Sequence, residues 1–282
     1  MRADYAGYAA SIVEQPRSEI LVERQGHVTV ITLNRPHKLN AMTGSMTADL
    51  TQAMDDFNRD HEQYVAIITG AGDRAFSAGF DLTEIAGRFE GGNVSVGVSS
   101  VDLWGVGNSA KPTIAAVNGL ALAGGFELAL NCDIRVATRT AWFGLSEVKR
   151  GLMPGVGVNM LARYLPLGEA LYLLMTGDRL PAEEAARLGL VQRLSEPDQL
   201  LDTAMRIAET IAANSQTAVQ ASKQVAYYWR NLAIREQVDF YRAVNQRLLL
   251  CDDVQEGPRA FAEKRDPVFV NRWPVAGDAK QS

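Results

Sequence analysis

Short apolar runs separated by polar loops fill the first two thirds of the chain, and their spacing assigns elements before any side-chain chemistry is considered. "EILVER" and "HVTVITL" are two runs of β-branched and aliphatic residues joined at Gln25-Gly26, which predicts a hairpin. Beyond the loop "NRPHKLNA", Met46, Leu50, Ala53, Met54 and Phe57 recur at the spacing of one helical face, with Thr43 placed to cap it. "YVAIIT" (64–69), "KPTIAAVNG" and "DIRVAT" are strand-length runs that are apolar on both faces. Strands of this kind alternating with helices predict an α/β fold whose largely parallel sheet is covered by helices.

After about residue 195 the pattern turns helical, with Pro and Gly scarce as far as residue 264. Ile207, Ile211, Val219, Val225 and Leu248 to Leu250 supply the apolar stripes. The organisation expected is a loosely held extension over 1–18, a sheet-based core over 19–195 and a helical region over 196–282. "GRFEGGNVSVGVSS" (87–100) is a low-complexity loop expected beside whatever the sheet presents.

Composition narrows the classes. The 282 residues are 47% hydrophobic and 22% charged, which excludes disordered and fibrous chains. A net charge of −5 without a basic block argues against nucleic acid as the partner, while leaving room for an anionic small molecule at a local basic cluster. The two cysteines, Cys132 and Cys251, each read as lying in a helix. With His27, His37 and His61 they give neither a disulfide framework nor zinc spacing, so no metal and a reduced, cytoplasmic setting are expected. Arg2, Asp4, Glu14 and Arg17 break up the first segment, which does not read as a signal peptide, and no apolar run of about 18 residues offers a membrane span.

Three segments carry candidate chemistry, and each has a plain structural alternative. "AFSAGFDL" follows a strand; the small residues around Gly79 admit close approach to the backbone, and Asp81 is equally well placed as a simple helix cap. "LAGGFELALNCD" puts Glu127 in the first turn of a helix beginning near Gly124, inside an otherwise buried run. A carboxylate there is costly unless partnered or neutral, although the helix N-terminus favours it. In "FGLSEVKRGLMPGVG", Glu147 follows a short strand and projects from a turn, where an exposed surface residue is the simpler reading.

Taken in order, "NRPHKLNAM", "AFSAGFDL", "KPTIAAVNGLALAGGFELALNCD", "FGLSEVKRGLMPG", "MTGDRLPAEEAARLGLV" and "EGPRAFAEKRDPVF" resemble the crotonase (enoyl-CoA hydratase/isomerase) superfamily over nearly the whole chain. The resemblance implies a ββα spiral core carrying the active site, with a helical C-terminal region for oligomerisation and coenzyme A contact. It also implies an oxyanion hole from the backbone N–H groups of Phe80 and Gly124. The coenzyme would be contacted by Ala78, Phe80, Asp81 and Leu82, with its phosphates at Lys38 and Lys264. Both glutamates of the family's hydratases are present, as Glu127 and Glu147. Glu127, nearer a helix N-terminus, is expected to ionise more readily and serve as base, with Glu147 as acid.

The implied reaction is reversible syn hydration of a 2-enoyl-CoA, with coenzyme A entering as part of the substrate and no permanently bound cofactor. An enoyl-CoA isomerase, a carnitinyl-CoA-type dehydratase or a non-catalytic acyl-CoA or RNA-binding homologue are the alternatives. A homotrimer or dimer of trimers is implied, with no nucleic acid or membrane partner. Ser146 replaces the family's usual proline before the second glutamate, and Val158 replaces a loop glycine, which bears on the shape of the acyl site.

Overall fold

The computed structural model describes residues 19–84 and 104–270, so the 1–18 extension and the 87–100 patch lie outside the described residues. Strands β1 (Ile20–Gln25) and β2 (Val28–Leu33) form the expected antiparallel hairpin, its turn at Gly26–His27, one residue later than read from sequence. Helix α1 (Gly44–Arg59) begins where Thr43 Oγ1 accepts the Met46 N–H at 3.0 Å. It buries the five apolar residues whose spacing announced it.

The chain then runs through a repeated circuit. Strands β3 (Val65–Gly70), β5 (Thr113–Val117) and β7 (Ile134–Thr138) lie parallel in one sheet. Each is succeeded by a short strand in a second sheet: β4 (Ala75–Ser77), β6 (Leu120–Leu122) and β8 (Trp142–Gly144). Helices α2 (Gly124–Asn131) and α3 (Val156–Tyr164) close the later circuits, giving a spiral of strand, strand and helix. Helix α4 (Leu167–Thr176), strand β9 (Leu180–Pro181), helix α5 (Ala182–Arg187) and strand β10 (Arg193–Ser195) complete the core. The large sheet runs β1-β2-β3-β5-β7-β10 and the small one β4-β6-β8-β9. The small sheet is not legible in the sequence, because strands of three residues are too short to show a period.

Alternation along the long strands divides the core in two. Ile31, Leu33, Ala66, Ile68, Ala115 and Val117 face the interior shared with α1, α2 and α3. Val28, Val30, Val65, Ile67, Ile114 and Val136 face the other way, onto Leu200, Ala204, Met205 and Ala208 of α6 (Leu200–Ala212). Thus α6, read as the start of the helical region, is the outer layer of the sheet. Helix α7 (Gln216–Leu248) is anchored by Asp133, which accepts from Lys223 Nζ at 2.6 Å and Tyr227 OH at 2.8 Å. Helix α8 (Asp253–Ala262) returns the chain to the core.

Neither cysteine lies in a helix, contrary to expectation. Cys132 comes just after the last residue of α2, where its carbonyl accepts from buried Arg135, and Cys251 sits in the turn between α7 and α8. Both cysteines are buried and neither is in a disulfide among the described residues, and burial pushes the thiol of Cys132 up to about 12, too high for nucleophilic use. Among the described residues no helix is long and apolar enough to cross a membrane.

Candidate active site

The loop after β4 is held in place by one asparagine. Buried Asn40 donates from Nδ2 to the carbonyls of Ala71 (3.0 Å) and Ala75 (2.8 Å), while its Oδ1 accepts the Arg35 N–H at 2.9 Å. Its own carbonyl accepts from Ser77 Oγ, which in turn accepts the Gly79 N–H at 3.1 Å. Met42 bridges the same loop, donating to Gly79 O and accepting from Asp81 N–H. The N–H groups on either side of Phe80 are therefore consumed by the scaffold.

Gly79, at φ +89, brings this loop against the start of α2: a Cβ there would lie 2.9 Å from Leu122 O and 3.0 Å from Gly124 N. No other residue fits that approach and that backbone conformation together. Ala123, the residue before α2, is held at φ 47, a strained position for a side-chain-bearing residue, with its N–H on Gly144 O at 2.9 Å. Gly124 then opens the helix with an N–H that has no intrahelical acceptor. Among the described residues neither the Phe80 nor the Gly124 N–H has an acceptor. Two donors from two different elements are thus left free where the elements touch.

Glu127 stands one turn into α2 and is only 2% exposed. Its Oε1 accepts the Gly157 N–H at 2.7 Å, at the N-terminal end of α3. Burial drives its carboxyl up to about 7, against the pull of the backbone N–H groups of Gly157, Gly155 and Val156. Desolvation outweighs the favourable helix N-terminus at Glu127, so its carboxyl is raised despite its place in the first turn. Glu147 begins a 3₁₀ turn (Glu147–Arg150), and its Oε2 is buried without a hydrogen-bond partner among the described residues. Burial and then the charge of Glu127 hold the Glu147 carboxyl well above the usual range. Both carboxyls are therefore raised together, and the charge of one opposes ionisation of the other.

A cavity of about 440 Å³ brings Glu127, Glu147, Phe80 and Gly124 together with Lys38, Ala78, Asp81 and Leu82. Lys264 is apart from them: it lines an adjoining cavity of about 710 Å³, whose walls share Leu82, Thr83, Arg150 and Phe261 with the first. The Asp81 carboxylate is engaged inside the protein, accepting the Thr83 N–H at 3.0 Å and pairing with Arg35 at 3.2 Å. Burial works against its charge, but these partners outweigh burial and lower its pKa. That is the cap read from sequence, in addition to a place in the cavity wall.

Sequence reasoning missed Arg150, Asn245 and Phe261 as cavity residues, although it had marked Leu248 and Leu249 as apolar stripe. They come from the 3₁₀ turn, α7 and α8, and only tertiary folding brings them in. The one available signal was glycine: a Cβ at Gly257 would overlap the Arg150 carbonyl, and one at Gly151 the Asp253 carbonyl, so α8 packs directly on the turn carrying Glu147. Beyond α8, Arg265 pairs with Glu256 at 2.5 Å and 2.9 Å, and Val268 N–H donates to the same carboxylate at 2.9 Å, fastening the tail.

A spiral of strand, strand and helix, with free N–H groups and two carboxyls in one cavity, defines a recognisable class. The sequence pattern of the enoyl-CoA hydratase/isomerase family matches residues 23–272, and the chain belongs to that family, the crotonase superfamily. Among its relatives, the enoyl-CoA hydratase EchA19 of Mycobacterium tuberculosis is 39% identical over 259 residues, covering 90% of this chain and 97% of that protein. The carnitinyl-CoA dehydratase of Salmonella arizonae is 40% identical over 250 residues, covering 86% and 95%. The solved carnitinyl-CoA hydratase of Mycobacterium avium superposes with a TM-score of 0.82 at 39% identity, over 91% of this chain and all of that one.

Proposed function

We propose that the chain catalyses the reversible syn addition of water to a 2-enoyl-CoA thioester, giving a 3-hydroxyacyl-CoA. The observation that carries this reading is the pair of carboxyls, Glu127 and Glu147, facing one cavity beside two unengaged backbone N–H groups. With the thioester oxygen between the N–H groups of Phe80 and Gly124, Glu127 takes a proton from water as its oxygen bonds to C3. The C2=C3 electron pair moves toward the thioester, and the resulting enolate oxygen is stabilised by both donors, each worth roughly 2.7–4 kcal/mol by oxyanion-hole precedent. Glu147 then delivers its proton to C2. The pair ends with the same number of protons it began with, and the two carboxyls exchange roles for the reverse reaction.

Burial raises both carboxyls, and the charge of Glu127 raises Glu147 further, so the pair is suited to holding one proton between them. Lys38 at the first cavity and Lys264 at the second would meet the coenzyme phosphates, and Ala78, Phe80, Asp81 and Leu82 its adenine end. The cavity's polar Asn245 among Leu248, Leu249 and Met153 favours a substituted acyl group as a second reading, in which the same carboxyls dehydrate a polar 3-hydroxyacyl-CoA. A trimer or dimer of trimers is part of the proposal; Val225 on α7, 75% exposed, is one of the residues it would cover. Sedimentation at micromolar concentration checks this, a stable monomer being the adverse result.

The deciding experiment incubates the protein with crotonyl-CoA and follows the loss of conjugated-thioester absorbance, with 3-hydroxybutyryl-CoA identified as product. A 3-enoyl-CoA run in parallel distinguishes isomerisation. No hydration of crotonyl-CoA or of longer 2-enoyl thioesters overturns the proposal.

A further inference from the structure

Most buried or half-buried arginines of this protein have their guanidinium groups occupied. Arg35 pairs with Glu19 and Asp81. Arg135 donates to the carbonyls of Leu190, Ala129 and Cys132 from inside the core. Exposed Arg265 on the tail likewise grips Glu256 and Glu263. Arg150 is different. It is half-buried, and it lines both cavities where they adjoin. Its guanidinium lies over the Phe261 ring, 5.1 Å from the centroid. Among the described residues it has neither a carboxylate within ion-pair range nor an acceptor for any guanidinium N–H.

Its position is fixed by the fold. Arg150 ends the 3₁₀ turn that Glu147 begins, and residues three apart in such a turn project to the same side. Its backbone is clamped by α8, because Gly257 packs against the Arg150 carbonyl with no room for a side chain. A guanidinium offers five donors in a rigid fork and stays charged at any physiological pH. Half-withdrawn from water, held flat by an aromatic ring and given no protein acceptor, such a fork is organised for a ligand oxyanion, which it binds bidentately.

We propose that Arg150 is a substrate-recognition residue for an anionic oxygen group that the thioester carries to the junction of the two cavities. Two parts of such a substrate share this chemistry: a carboxylate on the acyl group and a phosphate of the coenzyme. The inference rests on the thioester reading for the ligand's identity, and it is tested by binding, which does not depend on turnover.

Calorimetric titrations with three unreactive saturated ligands separate the sources: butyryl-CoA, glutaryl-CoA, which adds one terminal carboxylate, and butyryl-pantetheine, which has no phosphate. Arg150→Gln keeps the stem and polarity; Arg150→Lys keeps the charge without the fork; thermal melts confirm that each variant is folded. If Arg150 reads an acyl carboxylate, Arg150→Gln weakens glutaryl-CoA by about tenfold or more relative to butyryl-CoA. If it reads a phosphate, both coenzyme A ligands weaken together and butyryl-pantetheine is insensitive. In either case Arg150→Lys falls between wild type and Arg150→Gln. The proposal is overturned if the folded variants bind every ligand within about twofold of wild type. A wild type that binds the thioesters without hydrating crotonyl-CoA would sink the hydratase reading and leave the Arg150 result standing.

Discussion

Glu127 and Glu256 are both buried glutamates, 2% and 8% exposed, yet the protein treats their charges in opposite ways. Glu256 on α8 accepts from both Arg265 nitrogens and from the Val268 N–H, with Arg259 at 3.3 Å. The Arg265 hydrogen bonds are the largest influence, and they hold its carboxyl down at about 2. Among the described residues Glu127 has backbone N–H groups and no cation, and Oε2 of Glu147 beside it has no hydrogen-bond partner. Exposure alone does not set the charge of a glutamate; the partners supplied around it do. A salt-bridged carboxylate fastens a tail, whereas a pair left short of partners holds a proton ready to move.

The contrast is broken most severely by removing the carboxyls. General acid–base groups contribute about 10²–10⁴-fold each, so Glu127→Gln and Glu147→Gln are each expected to lose at least roughly 10²-fold in crotonyl-CoA hydration. The double variant should be little worse than the poorer single, because the pair works as a unit. An isomerase needs one base to move a proton between C2 and C4, so 3-enoyl-CoA turnover surviving Glu127→Gln would mark that chemistry instead. Hydration within a few-fold of wild type in Glu127→Gln removes the two-carboxyl mechanism.

A smaller change sharpens the comparison from the side of the partner. The Gly157 N–H donates to Glu127 Oε1 at 2.7 Å, and a Cβ on Gly157 would sit 2.7 Å from Leu145 Cδ1 and 3.2 Å from Glu127 Oε1. Gly157→Ala must therefore shift Leu145 or the carboxyl, at a site where overpacking costs about 1–3 kcal/mol. We expect kcat to fall by about tenfold with a smaller change in KM, since a displaced base acts on the transition state more than on binding. A rise in KM at unchanged kcat would show that Gly157 shapes the acyl site without orienting Glu127.

These residues also mark what could be read from the chain. The hairpin, α1 and the long strands were visible because their apolar periods are sustained, and the start of α2 was visible because Gly124 and Gly125 precede Glu127. The small sheet was hidden by its brevity. Glu147 read as a surface residue because a turn carries no periodicity that reports burial, and its cover comes from elements distant in sequence. Reading the segment as a helix start placed Glu127 correctly in a first turn, but the sequence could not weigh the helix dipole against burial. A dipole contributes roughly 0.3–1 kcal/mol at exposed sites, which full desolvation exceeds. Arg150 was invisible for a related reason: its significance lies in acceptors it lacks, and a missing partner is a property of the folded chain.

The subtlest test asks whether the two kinds of glutamate leave opposite marks on stability. Glu127 binds its proton more tightly folded, at about 7, than at the ordinary value of 4.5. Below 4.5 that advantage is complete; as pH rises toward 7 the unfolded chain ionises first, and the contribution is lost. Glu147 is raised as well, so it acts in the same direction. Glu256 runs the other way: held at about 2, it stabilises above 4.5 and loses that contribution as pH falls toward 2. Melting temperature should therefore decline on both sides, through separate residues. Glu127→Gln combined with Glu147→Gln should flatten the limb between about pH 4.5 and 7, gaining on wild type as pH rises even though activity is gone, the usual relation between a destabilised site and its function. Glu256→Gln should lower the melting temperature at neutral pH and flatten the acid limb alone. If the double variant leaves the neutral limb unchanged, the carboxyls ionise as easily in the folded protein as in the open chain, and the proton attributed to the cavity is not held there.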